Sequence, residues 1–187
     1  GNTPRIFSGK VYYEPTLSTS FIGGSSWDGN MFDVSATSDV TIHGVNVNLA
    51  SGTFNLEVYY VPGGYVGHET DPAAWTLAGS VTGFTSTGAG VPRKIPLDTF
   101  ITIPAGSTYG LYVTISAANS HFLTYSQGTA VGATVAQNNH LTIHEGNGIS
   151  YPFDNSVVLS PRKWNGALDY LSLIHISEPT RLRRISY

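Results

Sequence analysis

Asp39-Val-Thr-Ile-His-Gly-Val-Asn-Val-Asn-Leu49 decides the fold class. Val40, Ile42, Val45, Val47 and Leu49 alternate with polar neighbours, the period of two of a half-buried strand rather than the longer period of a helix. The parity slips between Ile42 and Val45. Such a slip would turn every later side chain to the opposite face, so the pattern predicts a β-bulge or bend at Gly44. Thr53 to Val61 alternates again, with Phe54, Leu56, Val58 and Tyr60 on one face and Asn55, Glu57 and Tyr59 on the other. Ser51-Gly52 between the two runs is short enough for a hairpin turn.

Further strands are predicted at Trp75 to Phe84, Lys94 to Leu97, Thr99 to Ile103, Thr108 to Ser116, His121 to Ser126, His140 to Glu145 and Lys163 to Tyr170. Shorter candidates lie at Thr19 to Ile22 and Met31 to Ser35, and Pro104-Ala-Gly-Ser107 reads as a turn. Helical signal is confined to one turn, where Asp71 can cap the free amides and Pro72 occupies the first helical position. About 8–10 short strands between Gly, Pro, Asn and Ser clusters predict an all-β fold, an antiparallel β-sandwich of jelly-roll-like type. A single domain over residues 1–170 accommodates it, and no internal repeat points to a solenoid or propeller.

Leu171 to Tyr187 (LSLIHISEPTRLRRISY) is of another kind. Back-translated, Leu171–Ile176 fits a transposon mosaic end, Ser177–Arg181 the adjoining sequencing adapter, Leu182–Arg184 a short index and Ile185–Tyr187 the start of a flow-cell sequence, all in one frame. Residues 171–187 therefore resemble a translated adapter, a non-native tail to be set aside in fold reasoning. Leu171, Leu173, Ile174 and Ile176 could still bury apolar surface against the body. Without the tail the chain loses Arg181, Arg183 and Arg184, leaving six bases against eleven acids and a formal charge of −5 instead of −3. The chain opens at Gly1 without Met, so a fragment edge is expected at both ends.

Charged residues make up only 11%, so uncharged Gly, Ser, Thr, Asn and Tyr must carry solubility, a balance common in secreted β-rich proteins. There is no cysteine, which removes disulfides and thiolate metal sites from consideration. No run approaches the roughly 18 apolar residues of a membrane span, and no basic stripe marks a nucleic-acid partner.

His140-Leu-Thr-Ile-His144-Glu145 has the spacing of a zinc pair on a helix, but the segment reads as a strand. At about 3.3 Å per residue two such histidines stand roughly 13 Å apart on one face, too far to share a metal. Gly67-His68-Glu69-Thr70-Asp71 gathers an imidazole and two carboxylates in a loop that could hold a structural Ca²⁺, although Asp71 is already claimed as a cap; no other cofactor is implied. Two-carboxylate chemistry would have to draw on Asp28, Asp33, Glu69, Asp71 or Glu145. No nucleophile elbow or phosphate loop is present. Gly146-Asn147-Gly148 fits a turn.

Among the aromatic residues, Trp75 and Trp164 flank strands and are expected in the core. Tyr12, Tyr13, Tyr59, Tyr60, Tyr65 and Tyr151 are further candidates for sugar stacking. Trp27 lies in the turn-rich Gly24-Ser-Ser-Trp-Asp-Gly29, where an exposed ring could stack on a sugar. Trp27, Asp28, Tyr65, His68 and Glu69 form the candidate ligand-binding set.

Five blocks carry a resemblance: Gly29-Asn-Met-Phe-Asp-Val34, Glu57-Val-Tyr-Tyr60, Asp71-Pro-Ala-Ala-Trp-Thr-Leu77, Ile103-Pro-Ala-Gly-Ser-Thr-Tyr-Gly110 and Ser160-Pro-Arg-Lys-Trp-Asn-Gly166. Residues from about 20 to 170 resemble an uncharacterised extracellular β-sandwich module of large secreted bacterial proteins. The resemblance implies export, an extracellular or cell-surface location and neighbouring domains, and it carries no catalytic residues. The expected function is a non-catalytic module for adhesion, for binding a glycan or cell-surface polymer, or for spacing such units. A secreted glycoside-active hydrolase and a self-assembling jelly roll are the alternatives.

Overall fold

The computed structural model describes residues 11–117 and 120–174. Residues 175–187, with Arg181, Arg183 and Arg184, lie outside the described residues, as do the side chains of Tyr12 and Tyr13. In chain order the strands are β1 (Val11–Tyr13), β2 (Thr16–Ser18), β3 (Ser25–Trp27), β4 (Gly29–Ala36), β5 (Val40–Val47), β6 (Gly52–Pro62), β7 (Thr76–Ser86), β8 (Arg93–Ile103), β9 (Thr108–Ile115), β10 (Leu123–Gln127), β11 (Thr134–Gln137), β12 (Leu141–His144), β13 (Gly146–Ser150), β14 (Asp154–Trp164) and β15 (Gly166–Ile174). A single 3₁₀ turn over Pro72–Ala74 starts at Asp71, whose carboxylate accepts from the Ala73 amide as the sequence predicts. The fold is all-β and antiparallel, a sandwich of two curled sheets.

The smaller sheet runs β1–β15–β5–β8, with β2 sharing the β1 edge of β15. The larger sheet runs β3–β10–β14–β13–β4–β9–β6–β7, and β12 and β11 extend it from the β13 edge of β4. Between them lies the main core. Val40, Ile42, Val45, Val47, Ile95, Ile101 and Leu168 come from the smaller sheet, and Phe32, Val34, Leu56, Val58, Leu111, Val113, Ile143 and Trp164 from the larger. Each such Val, Leu, Ile or Phe contributes about 1.5–3 kcal/mol on leaving water. Trp164 stacks on Phe32 at 4.5 Å and is fully buried. Trp75 is buried too, so both tryptophans expected inside are there. Trp75 belongs to a second cluster, with Met31, Val61, Tyr65, Tyr112 and Ile149. Met31 alternates with Phe32 along β4, so this cluster lies on the face of the larger sheet that points away from the main core.

The predicted bulge in β5 is present. Ile42 pairs with Ile101 and Tyr170, Gly44 pairs with Pro96 and Asp169, and the register slips between them against both neighbours. The Ser51-Gly52 hairpin is corrected: β5 belongs to the smaller sheet and β6 to the larger. Two strands that both turn apolar faces inward can satisfy that pattern by pairing or by facing each other across the core, and here they face each other. Lys163 to Tyr170 likewise splits at buried Asn165, where the chain passes from β14 in one sheet to β15 in the other. Thr19 to Ile22 is not a strand, and the two runs within 94–103 form the single β8. The strands exceed the expected number because β1, β2, β3, β11 and β13 have only three to five residues, too few to display a period. Strand β15 continues through Tyr170 into Leu171–Ile174, which pair with β5 and β1. The first four residues of the expected tail are thus part of a body strand.

Candidate functional site

At one end of the sandwich the segments around Phe21, Asn48, Gly90 and Phe122 converge. Asn48 is fully buried there; its Nδ2 donates to the Phe21 carbonyl, its Oδ1 accepts from the Gly90 amide, and its own carbonyl accepts from Thr124. Beside this junction opens a cleft of about 360 Å³, with Phe54, Ile115 and Phe122 as apolar lining and Thr53, Asn55, Ala117 and Ser120 around them. Among the described residues, none that lines the cleft is charged. The Phe54 and Phe122 rings stand 5.5 Å apart at 45°, and Phe122 is 46% exposed while Phe54 is buried.

One wall of the cleft hangs on Asp28. Its carboxylate is 1% exposed. Oδ1 accepts from the Ser120 amide at 2.7 Å, the Ser120 hydroxyl at 3.2 Å and the His121 amide at 3.2 Å, and Oδ2 accepts from the Tyr151 amide at 3.3 Å. His121 adopts a φ of 50°, a left-handed conformation uncommon outside glycine. Its ring stacks on Trp27 at 3.9 Å, and the Trp27 indole N–H donates to the Ser150 hydroxyl at 3.1 Å. Trp27 is half-buried, with one face occupied by His121. Of the predicted set, Trp27 and Asp28 therefore support the cleft from behind.

Tyr65, His68 and Glu69 lie elsewhere, in the loop before the 3₁₀ turn, across the outer side of the larger sheet. The Tyr65 amide donates to Asp33 Oδ1 at 2.9 Å, and its backbone rests on Gly110, where a Cβ would come within 2.6 Å of the Tyr65 nitrogen. The Trp75 indole donates to the His68 carbonyl, and Glu69 accepts from the Gly67 amide. Asp28 and Tyr65, both in the candidate ligand-binding set, are 1% exposed. The burial has a physical cause in each: Asp28 collects backbone donors, and the Tyr65 ring fills the second apolar cluster. Asp33 is the perturbed carboxyl of this face. Burial raises its pKa above the usual value, Glu69 adds to the rise, and the Tyr65 amide and His144 pull against it.

Of the two histidines of the zinc-like pattern, His144 ends strand β12 and His140 lies in the bend just before it; each is bonded to hydroxyls. His140 Nδ1 meets Ser38 and Ser172, and His144 Nε2 meets Ser35. Among the described residues, no group of three or more His, Asp or Glu is placed to hold a metal. Asp28, Asp71 and Glu145 are each engaged by backbone amides, as are Asp33 through Tyr65 and Glu69 through Gly67; Glu69 stands close enough to Asp33 for its charge to act on it.

A polar network on the smaller sheet escaped the sequence reading. Asp169 accepts from Thr16 at 2.7 Å and Asn46 at 3.0 Å, and pairs with Lys94 at 3.0 Å. Burial pushes the Asp169 pKa up, but these bonds and the Lys94 charge outweigh it and hold the group below its ordinary value. Lys94 reaches Asp169 across Gly44, where a Cβ would lie 2.2 Å from Lys94 Cε. Gly44→Ala is therefore expected to push the lysine aside and raise the Asp169 pKa toward its ordinary 3.8, which a carboxyl-carbon NMR titration reads directly. An unchanged titration would show that the lysine finds another route.

The cleft residues Phe54, Asn55, Ser120 and Phe122 were also outside the predicted set. The available signal was Phe122, an aromatic ring on the same strand parity as Thr124 and Ser126, opposite the buried Leu123 and Tyr125. Neither the protein families nor the curated proteins with which the chain was compared contain a match to it.

Proposed function

We propose that the chain is a non-catalytic glycan-binding module of a secreted or cell-surface protein, with the sugar held in the cleft between Phe54 and Ser120. The observation that carries this reading is the half-exposed Phe122 ring over an apolar floor, within a rim of uncharged hydroxyl and amide groups. A sugar ring has the same dual character, with C–H faces that pack on aromatic carbon and hydroxyls that bond to Thr, Ser and Asn. At about 360 Å³ the cleft falls toward the small end of small-molecule sites, which run from about 300 to 1,000 Å³. The low charge of the chain fits a neutral ligand better than an ionic polymer.

The test is a glycan array followed by titration of any hit. Phe122→Ala is expected to weaken binding by about tenfold or more, equivalent to roughly 1.4 kcal/mol. Its thermal midpoint should move little, because Phe122 is half out of water. An array without a hit, or a Phe122→Ala protein that binds like the parent, overturns the reading and favours a spacer between domains.

Asp33 favours a second reading, a two-carboxylate hydrolase, because a raised carboxyl pKa suits a proton donor. New reducing ends from a polysaccharide, lost in Asp33→Asn, would establish it. Their absence across a glycan panel would remove it.

A further inference from the structure

Two polar groups of the cleft, Asn55 and Ser120, have fixed and opposite hydrogen-bonding roles. Asn55 Oδ1 already accepts from the Gly83 amide at 3.0 Å, which sets the orientation of the side-chain amide and leaves its NH₂ as the group it can offer. Ser120 is committed the other way. Its hydroxyl proton goes to Asp28 Oδ1 at 3.2 Å, so toward a ligand the oxygen can only accept. Asn55 and Ser120 thus present a donor and an acceptor, beside an apolar angle formed by Phe54 and Phe122, with Ile115 also in the lining.

The apolar part is an angle and not a platform. Two rings inclined at 45° cannot both lie flat against a pyranose, whereas a methyl group seated in the angle touches both. A donor for a carbonyl, an acceptor for an N–H and an apolar corner for a methyl are the three requirements of an acetamido group. Resting on the glycan reading above, we infer that the cleft selects N-acetylated sugars, with Asn55 donating to the acetamido carbonyl, Ser120 accepting its N–H and the methyl packed between Phe54 and Phe122. Asp28 acts as a positioning residue, since it fixes both the place of Ser120 and the direction of its hydroxyl proton.

The chemistry predicts discrimination between sugars that differ at a single substituent. A site that hydrogen-bonds a ligand group rejects the analogue lacking it, because its own polar atoms are then left unpaired. The whole chain is titrated calorimetrically with β-1,4-linked N-acetylglucosamine oligomers and with glucose oligomers of the same length and linkage. The acetylated series should bind about tenfold tighter or more. Asn55→Asp keeps the acceptor for Gly83 but removes the NH₂, and should abolish that preference; circular dichroism establishes that the variant is folded.

Equal binding of the two series overturns the acetamido assignment and leaves the glycan reading standing. Preference retained in folded Asn55→Asp overturns the role given to Asn55. An acetyl-lysine peptide that binds while the sugars do not overturns the sugar assignment. Binding of neither series, with a hit elsewhere on the array, overturns the inference alone; an array with no hit takes the glycan reading with it.

Discussion

Asp28→Ala is expected to lower the stability of the fold by about 4 kcal/mol, as read from the midpoint and slope of urea unfolding. A buried unpaired donor costs about 1–3 kcal/mol, and removal of the carboxylate strands the amides of Ser120, His121 and Tyr151 together. Part of that cost is recovered where the segment around Ser120 can turn its amides to water, so the losses do not simply add. Asp28→Asn separates charge from shape. It retains one acceptor oxygen for the Ser120 and His121 amides but sets an NH₂ group against the Tyr151 N–H, so its loss should fall between the alanine variant and the parent. The same two proteins test the cleft: Asp28→Ala should bind the cleft ligand more weakly even where it remains folded, because the Ser120 wall is no longer held. A loss below about 1 kcal/mol would mean that water replaces the carboxylate without penalty.

The readable part of this fold was local. Alternation in Val40 to Leu49 gave a strand and its slip at Gly44, and Asp71-Pro72 gave the capped turn, because each depends on neighbours within a few residues. Strand partnership was not local. Ser51-Gly52 has the length of a hairpin, yet the choice between pairing β5 with β6 and setting them on opposite sheets depends on which strands arrive from elsewhere: β15 and β8 for one, β7 and β9 for the other. Strand β14 was missed for most of its length because residues 154–158 are exposed on both faces and show no apolar alternation.

The candidate site follows the same division. Trp27 and Asp28 were singled out by composition in a turn-rich stretch, and they do adjoin the cleft, but Asp28 bonds a residue 92 positions away. No spacing rule could show that its carboxylate is a buried tie. Phe54 was legible as a strand residue and Phe122 as an anomaly of parity. Their meeting across the end of the sandwich was visible only once the sheets were assembled.

Glu145 should give the second large loss, and this one depends on pH. Its Oε2 accepts from the amides of Thr129 and Ala130, its Oε1 accepts the Thr129 hydroxyl at 3.0 Å, and Lys163 Nζ lies 3.5 Å away. The Glu145 side chain is 1% exposed and that of Lys163 35%, so in Glu145→Ala the lysine returns to water while the two amides stay behind. A cost of about 3 kcal/mol at neutral pH follows from those stranded donors. Burial pushes the Glu145 pKa up, yet the Thr129 and Ala130 bonds and the Lys163 charge outweigh it and hold the folded value below the ordinary 4.5. A folded pKa below the unfolded one means that the ionised form favours the native state: the contribution is complete above about pH 4.5 and is lost as pH falls through the folded value. Glu145→Gln cannot titrate, so the stability gap between it and the parent should be widest near neutrality and close in acid. Parallel stability curves for the two proteins between neutral and acidic pH would place the acid sensitivity of the fold elsewhere, with the similarly depressed Asp169 as the next carboxylate to replace.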